Sequence, residues 1–140
     1  MSGRRGAAWL VTAVAAVAHL TGCSGDDEGS AEELCRALRE RPSIASTFEG
    51  FDPTDVDQAL EQLRSARVTL GELRDAAPSK VRDDLSVQID YVQALAEALE
   101  PLVGADATEI VAAVQRVTAE HPDVEAAATE LSSFSASTCS

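Results

Sequence analysis

The side chains able to do chemistry are few, and their spacing narrows what that chemistry is. His121 stands directly before Pro122, where an imidazole could act as a general acid or base. No Ser or Cys nucleophile motif accompanies it, so the constellation that catalysis requires is incomplete and no catalytic residue is expected. Cys23, Cys35 and Cys139 show neither CxxC spacing nor a histidine cluster, which removes the zinc and dithiol patterns. Asp52, Asp55 and Asp57 gather three carboxylates in D-P-T-D-V-D, but a calcium loop needs D-x-D-x-D-G with a Glu at its twelfth position. These aspartates read instead as a helix start favoured by the helix dipole. No metal ligand is expected. Without a GxG loop or other cofactor motif, no cofactor-binding residue is expected either.

Composition narrows the partners. The 140 residues carry 11 Lys and Arg against 24 Asp and Glu, a net charge of −13, and only 4% are aromatic. Nucleic-acid binding draws on clustered Lys/Arg and on stacking rings, so that class is excluded. Sugar binding is equally poorly served by so few aromatics. Charge is also uneven: Asp83 to Ser140 holds 11 acidic residues and one basic residue, Arg116. Most of this is a solvated surface that keeps the protein soluble, and the sharper reading is an acidic face for a cationic partner.

The elements that must position these residues are helical. Ser30 with Glu33 forms an S-x-x-E capping box that opens a helix closed by Pro42, with Leu34, Cys35 and Leu38 on its inner face. Pro53, Asp55 and Asp57 begin a long helix to about Ala76, carrying Val56, Leu60, Leu63, Leu70 and Leu73 at three-four spacing. Ala77-Pro78-Ser79 makes a turn, and apolar residues from Val81 to Leu99 mark a third helix to about Glu100, which Pro101 and Gly104 terminate. Asp106 with Glu109 starts a fourth, ending before His121-Pro122, and a last helix from about Asp123 runs to Cys139. Tyr91 is expected to be half-buried with a wet hydroxyl. The segment Pro42 to Asp52 reads as a loop whose Phe48 and Phe51 cover an end of the core, or alternatively form the lid of a ligand site. The fold predicted is all-α, a small up-down bundle of four to five helices over residues 30–140.

The N-terminus carries an address. Arg4 and Arg5 precede an uncharged run from Ala7 to Leu20, too short for the ~20 residues of a spanning helix and right for a signal-peptide core of ~7 to 15. The run ends in Leu20-Thr21-Gly22-Cys23, which resembles the lipobox of bacterial lipoproteins. That resemblance implies removal of residues 1–22 and diacylglyceryl attachment to Cys23, with a short polar tether over residues 23–29. Two or more acyl chains give stable anchoring, so the implied location is the outer face of the cytoplasmic membrane. Six tether residues, Ser24 to Gly29, reach on the order of 13 Å, which keeps the domain close to the bilayer. Lipidation of Cys23 leaves Cys35 and Cys139 as the remaining thiols, and in an oxidising compartment the pair reads as one disulfide stapling the bundle. As a whole, the chain resembles the small helical two-cysteine lipoproteins of high-GC Gram-positive bacteria, a likeness that implies surface anchoring and no particular activity.

Two functions follow as expectations. The first is a membrane-tethered, non-catalytic helical interaction module for a cationic envelope protein. The second is a carrier or sensor of a small apolar ligand held between helices, with Phe48 and Phe51 as the lid.

Overall fold

The computed structural model describes residues 29–41 and 50–140. Expectations that concern the signal segment, Cys23, the polar tether up to residue 28 and Phe48 lie outside the described residues. Among the described residues five α-helices pack together and there is no strand. They are α1 (Ala31–Glu40), α2 (Val56–Ala76), α3 (Ser79–Leu99), α4 (Ala107–Glu120) and α5 (Val124–Thr138), with a 3₁₀ turn at Glu100–Leu102 after α3.

Local chemistry sets the boundaries. Ser30 Oγ accepts from the Glu33 amide at 3.1 Å while the Ser30 amide donates to Glu33 Oε2 at 3.0 Å, a closed capping box. Arg41 turns to extended backbone because Pro42 follows. Helix α2 begins three residues after Pro53. Asp52 accepts from the Thr54 amide and hydroxyl, which holds Pro53 and Thr54 in a turn, and Asp55 caps the helix by accepting from the Gln58 amide at 3.2 Å. Asp106 caps α4 through the amides of Thr108 and Glu109. Pro101 does not stop α3 abruptly; the chain tightens into the 3₁₀ turn and then reverses at Gly104, whose φ of +82° is open to glycine at no steric cost.

Helices α2 and α3 form an antiparallel hairpin across the Ala77-Pro78 turn, and their interface is the main body of the core. Helices α4 and α5 run in series along α3 as one return leg broken at His121 to Asp123. The C-terminal part of α4 meets mid-α3, where Tyr91 Oη lies 3.0 Å from Thr118 Oγ1. The start of α5 is tied one turn earlier on α3 by Gln88 Nε2, which donates to the Val124 carbonyl at 2.6 Å. From there α5 continues toward Lys80, beside Thr138. Helix α1 lies against α2 and α5 at the end of the bundle that holds the α2–α3 turn, with Gly29 close to the Ala76 carbonyl. This is the near end, where the chain enters the bundle; the start of α2, the 3₁₀ turn and the start of α4 make the far end.

The core is aliphatic: Leu34, Leu63, Leu70, Leu73, Leu85, Leu99 and Ile110 are fully buried, and no buried residue is polar among those described. Ala59, Ala66 and Ala77 have no exposed surface, so the α2–α3 seam closes tightly on small side chains. Cys35 and Cys139 lie at disulfide distance with Cα atoms 5.2 Å apart, joining α1 to the end of α5 across a sequence separation of 104.

Candidate functional site

Two features of the surface stand apart from ordinary solvated helix. The first is an apolar cleft of about 410 Å³ at the near end. Leu34 and Leu38 of α1 form one wall, Leu131 and Phe134 of α5 form the other, and Leu73 and Leu85 form the floor. The cleft exists because α5 has a weak inner face: Ala127 is its one buried residue, while Val124, Leu131 and Phe134 are half-buried. No charged side chain lines it. Ser132, on its edge, donates its hydroxyl to the Ala128 carbonyl at 2.9 Å, which leaves the walls poor in hydrogen-bonding capacity.

The second feature is the far end. Asp52, Asp55, Asp57 and Glu61 at the start of α2, Glu97 and Glu100 at the end of α3, and Asp106 and Glu109 at the start of α4 are all exposed. Neither residues 50–63 nor residues 95–115 contain a Lys or Arg, and the nearest cations, Arg64 and Arg67 of α2, line a groove with Glu97 and Glu100. Val103, 54% exposed, stands among them. The acidity read along the sequence as a C-terminal property is thus arranged along the bundle axis, because α2 returns its own acidic start to the same end as Glu100 and Asp106.

The chemistry-bearing residues of the sequence make local contacts. His121 Nδ1 lies 2.9 Å from the Val117 carbonyl, to which it donates, and the ring packs edge-on against Tyr91 with centroids 5.7 Å apart. Tyr91 is half-buried as expected, but its hydroxyl has a protein partner in Thr118. The aspartates of D-P-T-D-V-D do not converge: Asp52 and Asp55 turn to local backbone amides, and the Thr54 contacts hold the Asp52 carboxyl below its ordinary value. Among the described residues no group of three or more His, Cys, Asp or Glu could hold a metal ion. Asp84, facing Glu130 and Asp83, has its carboxyl pushed up, first by burial and then by those like charges.

The chain matches no protein-family model, no curated protein and no solved structure. Its reading therefore rests on its own residues.

Of the two candidate lid residues, Phe51 is half-buried against the core just before α2 and is not a wall of the near-end cleft. The residues that do line that cleft were legible only as core positions. Their one sequence signal is the pairing of Leu34 with Leu38 on a helix of ten residues and of Leu131 with Phe134 on a Ser-rich one. A second, polar cleft of about 800 Å³ lies beside it, lined by Glu33, Arg74, Asp75, Arg82 and Asp83 in alternating sign, and it favours neither an anion nor a cation. Among the described residues no helix is long and apolar enough to cross a membrane.

Proposed function

We propose that the chain is an extracytoplasmic lipoprotein, held on the outer face of the cytoplasmic membrane through acyl chains on Cys23, and that it works as a non-catalytic helical interaction module. The observation that carries this reading is the separation of the two ends. Gly29 enters at the near end, six residues after Cys23, while the exposed carboxylates and Val103 occupy the opposite end. A tether of that length keeps the near end at the bilayer and turns the acidic end away from anionic headgroups, toward a cationic envelope protein. Charge complementarity of this kind raises the association rate and makes binding sensitive to salt.

The test places a photocrosslinking residue at Val103 in the full chain, produced in a host that lipidates proteins, and compares it with the same residue at Val68. The expected result is a discrete adduct with a basic envelope protein from Val103 only. The adduct should weaken at high ionic strength and vanish in Glu97→Lys/Glu100→Lys. No adduct at low ionic strength, with Cys23 lipidated, overturns the interaction reading; an unmodified Cys23 overturns the anchoring. A second reading, carriage of a small apolar ligand, is favoured by the cleft between α1 and α5.

A further inference from the structure

We infer that the near-end cleft is a site for one unbranched aliphatic chain of an amphiphile, and that the Cys35–Cys139 bond holds its α1 wall in place. The inference rests on the second reading above and adds the ligand class, the residues and the control.

Ligand class follows from the lining. A volume of about 410 Å³ falls in the range of small-molecule sites, roughly 300 to 1,000 Å³. Such sites orient polar ligands with a few placed polar groups, and here the lining is five leucines, a phenylalanine and an alanine with no charge, its hydroxyls being those of Ser132 and Ser135 on α5. Ser132 spends its donor on its own helix. A sugar, nucleotide or peptide would lose its hydration without replacement, whereas a hydrocarbon chain loses nothing. The walls are two helices over a floor of Leu73 and Leu85, a slot between α1 and α5 that an aliphatic chain can enter from its open side. Any polar head must remain at the rim, near Ser135, in water. The near end is also the end where the chain enters the bundle at Gly29, and thus the end that the proposed anchoring holds at a lipid surface.

Control follows from how α1 is held. It is ten residues long and meets the rest of the bundle through α2 and, sparingly, α5. Helices of that length have little stability of their own. Leu34 is adjacent to Cys35, and Cys139 lies one turn beyond Ser135, so the bond joins the two walls directly. Breaking it frees α1 to move away from α5 and opens the slot to water.

The experiment uses the full lipidated chain in phosphatidylcholine nanodiscs, irradiated with a diazirine-bearing palmitic acid, and maps the labelled peptides by mass spectrometry. Saturable labelling in α1 and in residues 131–136, displaced by unlabelled palmitic acid, is the expected result. Leu131→Trp, which fills the slot, should lower it by about an order of magnitude, whereas Val68→Trp on the outer surface should not. Thermal melts confirm that both variants fold. Reduction, or Cys139→Ser, should lower the labelling comparably while most of the helical far-UV signal persists. Saturable labelling outside the slot overturns the site and leaves the carrier reading standing; no saturable labelling anywhere overturns both. Slot labelling that survives reduction unchanged overturns the role of the bond.

Discussion

Gln88 on α3 donates from Nε2 to the carbonyl of Val124, 36 residues away, at the point where α4 gives way to α5. A carbonyl in the first turn of a helix ordinarily serves that helix, and here it also accepts a side chain from the element beneath. With Tyr91 bonded to Thr118 one turn further along α3, the two contacts fix the break between α4 and α5 over the hairpin. His121 completes the junction by bonding back to Val117 and packing edge-on to Tyr91.

Gln88→Ala should therefore cost about 1 kcal/mol, the worth of one side-chain hydrogen bond in a partly buried setting. Tyr91→Phe, which removes a more exposed bond, should cost no more than that, and because the two residues lie one turn apart and hold the same junction, the double variant should depart measurably from the sum of the two. Urea unfolding followed by circular dichroism measures both. Unchanged midpoints would mean that apolar packing of α5 on α3 holds the junction alone.

This junction also marks the limit of what the sequence could say. The capping box at Ser30, the Asp106 cap and the long stripes of α2 and α3 were legible, because local hydrogen bonding and three-four periodicity fix helices without reference to neighbours. That α4 and α5 lie end to end along α3 was not, since periodicity identifies a buried face and says nothing of the helix it meets. The near-end cleft was hidden for a related reason: Leu34, Leu38, Leu131 and Phe134 read as ordinary core, and only packing shows that they line an unfilled gap. Helical i to i+4 spacing would bring Arg36 to Glu40, Lys80 to Asp84 and Arg116 to Glu120, and none of these pairs closes. Among the described residues the ion pairs join Arg41 to Glu72 and Arg74 to Asp75 instead. Exposed long side chains lose as much entropy in pairing as they gain in attraction.

The alanines of the hairpin make a second prediction. Ala66 has no exposed surface in the α2–α3 seam. Enlarging it adds apolar area but forces the backbones apart, so Ala66→Leu should destabilise by about 1 to 3 kcal/mol. Val68→Ala, at a position 62% exposed, should stay within about 0.5 kcal/mol of the parent. If Ala66→Leu stabilises the protein, the thin core is underpacked there and the close approach of the helices is not set by alanine.

Removing the Cys35–Cys139 bond tests the constraint on the unfolded chain. The sequence separation of 104 encloses nearly all of the bundle. In the chain-entropy model a loop of about 100 residues is worth up to about 4.7 kcal/mol. Cys35→Ser/Cys139→Ser should lower the unfolding free energy by a few kcal/mol, with most of the change appearing in the midpoint of denaturation. Hydrogen exchange should show α1 as the first element to lose protection, because it is the shortest of the α-helices and meets α5 only sparingly. Uniform loss across α1 to α5 would mean that α1 is integral to the cooperative unit.

Asp84 and Asp52 should respond to pH with opposite signs. Burial, then Glu130 and Asp83, raise the Asp84 carboxyl above its ordinary 3.8, so the folded state holds this proton more tightly than the unfolded chain does. Its contribution favours folding at acid pH and is lost as pH climbs from about 3.8 through the raised folded value. Lys80 lines the same groove without forming an ion pair with it. Asp84→Asn should accordingly be at least as stable as the parent at pH 7, with the difference closing near pH 3. For Asp52 the Thr54 bonds lower the folded value, so its contribution is present above the ordinary value of 3.8 and is lost as pH falls through the lowered one. Asp52→Asn should be the less stable protein at pH 7 and converge with the parent in acid. Urea midpoints across pH 3 to 7 separate the two, and an Asp84→Asn protein that is weaker at pH 7 would show that the carboxylate is stabilised there by its surroundings, against the burial and like charge described above.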